Sequence, residues 1–337
     1  MNETMIQYII FGKNYYQYNG FDTNRYIYHD AISQQNVLYI EPKDTFWDHY
    51  IRFFFRNEYG IAFRKKLFIP FRKIAFRALL RHVKRIKKTG HNVFVFFYTE
   101  PWFFDKKGFL SYIRESFGDV KLVYQITNII QNIQIGPAYL QKYFDLVSTC
   151  NRGDSERYHL PFFPNACSYI PFPDNQESNS DCLFVGQAKE RLKDLLTVYE
   201  ILAQKGVRCE FFISGVNEKD QRFGDTIHYN QVLDYDVVLK KVEKTNVLLE
   251  LLQAGMDSHT LRYPEAVNYG KKLLTNNRSV ITEKSYSTQN IRIIKKADDV
   301  AAIDVSFFKT PIAEDYPCRE SVSSRSFLTF IQNNLGL

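Results

Sequence analysis

The run LLELLQAGMDSHTLRYPEAVNYGKKLLTNN, residues 248–277, switches its apolar pattern twice. It begins within a strand-like stretch at 246–252, passes through a polar loop containing Gly255, and resumes as a helix around 264–269. Gly270 closes that helix, and an apolar strand follows at 272–275. Strand, connecting helix and strand in this order predict neighbouring parallel strands with helices packed over them.

The pattern extends upstream. In DCLFVGQAKERLKDLLTVYEIL, 181–202, an apolar strand at 182–185 ends at Gly186, and a short polar loop leads into an amphipathic helix from about 190 to 205. Strands at 209–214 and 291–294 and a helix at 236–244 complete this α/β unit. The first half alternates in the same way, with strands near 5–11, 36–40, 92–98, 120–126 and 146–150. Between the halves hydropathy collapses in PFPDNQESNSD, which reads as a linker. The expected fold class is therefore α/β, with two Rossmann-like domains. The first covers 1–170, the linker 171–180 and the second 181–316. Residues 317–337 carry a helix, near 319–333, that by analogy packs back on the first domain. No internal repeat of 20–50 residues is visible.

Composition narrows the class. A chain of 337 residues is long enough for two cores, and 45% apolar with 24% charged residues excludes both disorder and a membrane bundle. The 29 Phe and 23 Tyr serve chiefly as core filling. Five cysteines, odd in number and without a C-x-x-C pair, exclude a disulfide framework or zinc site and point to reduced thiols in the cytosol. The apolar stretch 5–11 follows Glu3 without a basic leader, so it reads as a first strand and not a signal peptide. No apolar run reaches the roughly 18–20 residues that cross a bilayer. The expected location is cytoplasmic, with any membrane contact peripheral and on the inner face.

Two segments carry candidate chemistry. Gly186, Gln187, Lys189 and Arg191 follow the first strand of the second unit, where a small residue, cations and a helix N-terminus favour phosphate. With a single glycine this is neither a dinucleotide fingerprint nor a P-loop. Asp257, Ser258, His259, Thr260, Arg262 and Glu265 follow the strand at 246–252, where a doubly wound sheet binds ligands at its open end. Each also has a plain reading: Lys189 and Arg191 as first-turn surface charges, His259 as a loop residue, Glu265 as an acid favoured at a helix start.

The second segment resembles the donor-site signature of GT-B glycosyltransferases, in which an acidic residue and a Glu with seven residues between them precede a helix and a Gly-Lys-strand. Asp257 and Glu265 have that separation, and Gly270-Lys271 precede the strand. Asp257 stands where the pattern has Glu, and Ser258 and His259 where it commonly has glycines. The likeness is closer to bacterial enzymes of lipopolysaccharide and capsule synthesis, through Val185-Gly186-Gln187 and Thr260-Leu261-Arg262. FDLVSTCNRGDSERYHL, 144–160, resembles the last strand and following helix of their first domain, so the resemblance covers chiefly 144–277. It implies a GT-B architecture, two Rossmann-like domains facing each other across a cleft, and a hexosyl or related transferase. The donor would be a nucleotide sugar and the acceptor a lipid-linked or oligosaccharide hydroxyl, as in lipopolysaccharide, O-antigen or capsule synthesis. Glu265 would bind the ribose, and Arg262, Lys189 or Arg191 would neutralise the departing diphosphate. Glu100, in Tyr98-Thr99-Glu100-Pro101-Trp102, is the candidate catalytic base of an inverting enzyme, with Glu41 behind it.

No cofactor and no metal are expected. Asp234-Tyr235-Asp236 has the D-x-D form of a metal site, but it stands at the entrance to a helix, where Asp serves as N-cap. A further feature is RKKLFIPFRKIAFRALLRHVKRIKK, 64–88, with eleven Lys or Arg and no acid in a chain of net charge +7. From Phe71 a helical reading gathers Phe71, Ile74, Ala75, Ala78, Leu79, Val83 and Ile86 on one face and Lys73, Arg77, Arg81, Lys84, Arg85 and Lys88 on the other. Such a helix, 70–88, suits an anionic membrane surface, or is a core helix with a solvated basic back. The same cations beside Tyr and Phe would also suit a basic, aromatic-rich nucleic-acid-binding protein. No nucleic-acid motif accompanies them, and nucleic acid is not the expected partner.

Overall fold

The computed structural model describes residues 6–12, 23–40, 46, 72–80, 90–97, 104, 108–133, 135–172 and 180–337. The first unit holds strands β1 (Ile6–Phe11), β2 (Val37–Ile40), β3 (His91–Phe96), β4 (Val120–Ile126) and β5 (Leu146–Thr149). They form one parallel sheet in the order β2-β1-β3-β4-β5. Among the described residues its helices include α1 (Thr23–Ile27), α2 (His29–Ile32), α3 (Arg72–Leu79), α4 (Phe109–Phe117) and α5 (Arg152–Tyr158). Near-continuous apolar strands such as VKLVYQI, with all but Lys121 buried, are what a sheet covered on both faces requires.

The second unit holds β6 (Ser180–Gln187), β7 (Cys209–Ser214), β8 (Ile227–Tyr229), β9 (Thr245–Glu250), β10 (Lys272–Thr275) and β11 (Ile291–Ile293). These strands are also all parallel, in the order β11-β10-β9-β6-β7-β8. Helices α6 (Leu192–Gln204), α7 (Tyr235–Glu243) and α8 (Arg262–Asn268) belong to it, and α9 (Arg325–Leu335) ends the chain. Beginning at β6, the chain steps outward through β7 and β8 and then returns to the other side of β6 at β9. That reversal makes the gap between β6 and β9 the topological switch point, the place where open α/β sheets bind ligands. The short β8, with one buried residue of three, is an edge strand that the sequence pattern did not reveal.

Among the described residues three apolar cores hold the molecule together. One packs α3 and α4 on the outer face of the first sheet, and another packs α6 on the outer face of the second. The third joins the inner faces of both sheets, from Tyr8, Val93 and Val123 to Leu183, Leu248 and Tyr263. α9 reaches the first sheet: Phe327, fully buried, meets Phe163 at 4.8 Å, Tyr28 at 5.4 Å and Phe97 at 6.0 Å. Ser168 Oγ, donating to the Ile27 carbonyl and paired with Ser324 Oγ, ties the interdomain segment to both α9 and α1.

The basic helix departs from its expected orientation. Residues 71 and 81–89 lie outside the described residues. Phe76 of α3 and Leu80 just after it face inward, while Ile74 is 45% exposed beside exposed Lys73 and Arg77. The buried seam runs at i, i+4 through Phe76 because α4 offers Phe109 and Tyr112 there, at 5.2 and 5.5 Å.

Candidate functional site

A cleft of about 430 Å³ opens at the carboxyl ends of both sheets. From the second unit it is lined by Phe184, Val185, Arg191 and the segment after β9, including Glu250, Gln253, Met256, Thr260 and Arg262. From the first unit come Thr23, Asn24, Ile27 and Tyr28 near α1, Thr127 and Asn128 just after β4, and Asn165 and Ala166 beyond α5. The second-unit wall thus carries both cations, with the Glu250 carboxylate, the Gln253 amide and the Thr260 hydroxyl, and the first-unit wall carries uncharged amides and hydroxyls.

The loop after β6 and the loop after β9 meet at the switch point. Lys189 Nζ donates to Gln253 Oε1, the Ala254 N–H donates to the Glu190 carboxylate, and Arg191 Nη1 donates to the Leu251 carbonyl. Arg191 Nη2 also donates to the Gln187 carbonyl at 3.0 Å. The Arg191 guanidinium is therefore held by backbone oxygens, and among the described residues no carboxylate forms an ion pair with it. Burial lowers its pKa from the ordinary arginine value, with Glu190 and Glu250 acting in the opposite direction. Lys189 sits at φ 46°, in the left-handed region that non-glycine residues rarely adopt. Gly186 stays small for a reason: a Cβ there would stand 3.2 Å from the Phe184 ring and 3.6 Å from Arg191 Nη2.

Behind Arg262 lies a buried carboxylate. Glu265 is fully buried, accepts from Tyr235 OH at 2.7 Å on Oε1, and pairs with Arg262 Nη1 on Oε2. Burial raises its pKa, and the Arg262 charge and the Tyr235 hydroxyl oppose the shift. A second acid, Glu250, is 1% exposed at the end of β9 and lines the cleft. Its Oε1 accepts from the Thr260 N–H at 2.6 Å and from the Thr260 hydroxyl at 2.7 Å; its Oε2 accepts from Thr275 Oγ1 at 2.7 Å.

Of the residues singled out in the sequence, Arg191, Thr260 and Arg262 line the cleft together. Gly186 and Gln187 end β6 and Lys189 follows just beyond it, and none of the three is among the residues lining the cleft. Glu265 does not line it, because its carboxylate is spent on Tyr235 and Arg262; an open ribose contact from this residue needs that pairing to break. Ser258 and His259 are 2% and 1% exposed and turn toward the first domain: Ser258 Oγ accepts the Arg152 N–H, and His259 Nε2 lies 3.0 Å from the Asn165 carbonyl. Asp257, which precedes them on the loop, is exposed. Glu100 and Glu41 lie outside the described residues. Asp234 occupies the N-cap position of α7 but its side chain makes no capping bond, and Tyr235 between the two aspartates is buried against Glu265. Glu250, Asn24 and Asn128 were missed; the signal for Glu250 was an acid interrupting an otherwise apolar strand, LLELL.

Two Rossmann-like domains facing each other across a cleft constitute the GT-B architecture. No protein-family model and no curated protein matches the chain. Similar solved structures include the Glycosylation Associate Protein (Gap123) complex from Streptococcus agalactiae, 12% identical with a TM-score of 0.42 over 79% of this chain and 56% of that one. TarM is 13% identical with a TM-score of 0.46, over 79% and 58%. An alpha-glucosyltransferase in complex with UDP-glucose and DNA containing an abasic site is 9% identical with a TM-score of 0.45, over 81% and 80%. The chain spans little more than half the length of the first two. Among the described residues no helix is long and apolar enough to cross a membrane.

Proposed function

We propose that this chain is a glycosyltransferase that moves a sugar from a nucleotide sugar to a hydroxyl of a saccharide acceptor. The observation that carries the reading is the Arg191 guanidinium, fixed by the Leu251 and Gln187 carbonyls at the switch point, lining the cleft with Arg262 and Thr260 and lacking an ion-pair partner among the described residues. A cation preorganised in that way is suited to a diphosphate that gains charge as its bond to the sugar breaks. The acceptor oxygen forms the new bond to the anomeric carbon, the carbon–oxygen bond to the diphosphate breaks, and the acceptor proton passes to a base. For an inverting reaction Glu100, after β3, is the candidate base. Asp257, Ser258, His259 and Glu265 complete the donor-site assignment, with Arg262 released from Glu265 toward the diphosphate. No metal or cofactor is required by this scheme.

The acceptor in this reading is lipid-linked, in lipopolysaccharide, O-antigen or capsule synthesis at the inner face of the cell membrane. Exposed Lys73, Ile74 and Arg77 on α3, within the basic segment 70–88, support contact with an anionic leaflet.

Thermal shift against UDP-, GDP-, CMP- and dTDP-linked sugars tests the donor assignment, since a ligand bound only by the native state raises the melting temperature. One of the four should stabilise the protein, and Arg191→Ala should reduce the response; no shift with any of them would refute the reading. Co-sedimentation with phosphatidylglycerol vesicles, set against phosphatidylcholine vesicles, tests the membrane contact.

A further inference from the structure

Asn151 occupies the N-cap of α5, yet its side chain makes no capping bond to its own helix. An Asn at that position ordinarily accepts an N–H from the first turn. Here the amide is turned to the other domain. Its Nδ2 donates to the Gly255 carbonyl at 3.2 Å and its Oδ1 accepts the Asp257 N–H at 3.1 Å, so it bridges both ends of the Gly255-Met256-Asp257 turn. The residue is 2% exposed, so solvent cannot readily replace these bonds. The next two residues face the same loop. The Arg152 N–H donates to Ser258 Oγ at 2.9 Å, and a Cβ on Gly153 would lie 2.5 Å from Asp257 Oδ2. On its other side the loop is held by Lys189, Glu190 and Arg191 of its own domain.

We propose that Asn151 is a positioning residue of the donor site, and that the loop 253–258 takes its working shape from the first domain, through Asn151 and the close approach allowed by Gly153. The donor site is then not self-contained in the second half of the chain. This inference rests on the donor assignment above for its effect on ligand, but not for its effect on the loop.

The test uses the full chain, with hydrogen exchange read at the Asp257 and Thr260 amides and with UDP, GDP, CDP and dTDP as binding probes. Asn151→Ala should speed exchange at Asp257 at least about tenfold while Thr260, held by Glu250, keeps its protection, and should weaken the nucleotide that binds by roughly tenfold. Unchanged exchange at Asp257 and unchanged affinity would overturn the proposal. If the unsubstituted protein binds none of the four nucleotides, the donor assignment fails and the exchange measurement decides this inference alone.

Should Asn151→Ala fail to fold, Gly153→Ala serves in its place. Alanine is the better helix former, so without the loop contact it should be neutral or stabilising. Here it must displace the exposed Asp257 carboxylate, the far end of a flexible side chain, so exchange at Asp257 should rise by less than in Asn151→Ala. In an Asp257→Gly background the same substitution should change nothing. An equal effect of Gly153→Ala with and without Asp257 would overturn the proposal.

Discussion

Glu250 and Thr260 are joined twice: one carboxylate oxygen accepts both the backbone N–H and the hydroxyl of Thr260, at 2.6 and 2.7 Å. The other oxygen accepts Thr275 from the adjacent strand. One buried acid thus fixes the start of the Thr260-Leu261-Arg262 turn to the end of the sheet. Glu250→Ala leaves three donors without their acceptor, two on Thr260 at the cleft wall and one on buried Thr275, and we expect a loss of about 2–4 kcal/mol in urea denaturation. Glu250→Gln keeps one acceptor oxygen and should fall between the two. A destabilisation below the usual surface range, about 0.5 kcal/mol, would show that water fills the gap.

Arg191 lends itself to a sharper comparison. Arg191→Ala removes the cation and should weaken nucleotide-sugar binding roughly 10- to 100-fold in calorimetric titration. Arg191→Lys keeps the charge but loses the fork that reaches both Leu251 and Gln187, so it should recover only part of that loss. Full recovery by lysine would mean that the fixed orientation of the guanidinium contributes nothing.

What could be read from the sequence, and what could not, follows from how far each residue's partners lie along the chain. The strands at 120–126, 209–214 and 272–275 have the same bounds in the structure, because each is an apolar run interrupted locally by polar or turn-forming residues. β8 was invisible because three residues, two of them half-buried, leave no period to detect. Arg191, Thr260 and Arg262 could be picked out because a polar residue just past a buried strand is already conspicuous. Glu250 was hidden because the apolar run continues to residue 252 while the strand stops at 250, so a residue at the sheet edge looked like one inside it. Asn151 could not be found at all: its N-cap position has a sufficient local explanation, and its true partners lie more than a hundred residues away.

The C-terminal helix gives a test of how the two halves cohere. Phe327 is fully buried among Tyr28, Phe97 and Phe163, all of the first unit or its outgoing segment, although it lies more than 160 residues beyond the last of them. Phe327→Ala should cost about 3–5 kcal/mol, the usual range for emptying a core phenylalanine site. Because the lost contacts belong to the first sheet, hydrogen exchange should rise first in α1, α2 and β5 and not in β7 or β8. Exchange that rises evenly in both units would mean that α9 does not stabilise the first sheet selectively.

The pH dependence of stability isolates Glu265. Burial raises its folded-state pKa above the ordinary 4.5, against the opposing pull of Arg262 and Tyr235. When acidified from neutral pH, the folded protein therefore takes up this proton at a higher pH than the unfolded chain does. Between the folded pKa and about 4.5 the native state holds more of the proton, so this group's contribution is fully present below 4.5 and is lost as pH rises through the folded value. Glu265→Gln keeps an oxygen that can accept from Tyr235 and removes the titration. Urea denaturation of the two proteins from pH 4 to pH 7 should show the variant gaining stability relative to the unsubstituted protein as pH rises through that window, on top of a constant offset between the amide and the protonated acid. A difference that stays flat with pH, or runs the other way, would mean that Arg262 outweighs burial and that Glu265 remains a full carboxylate at the back of the cleft.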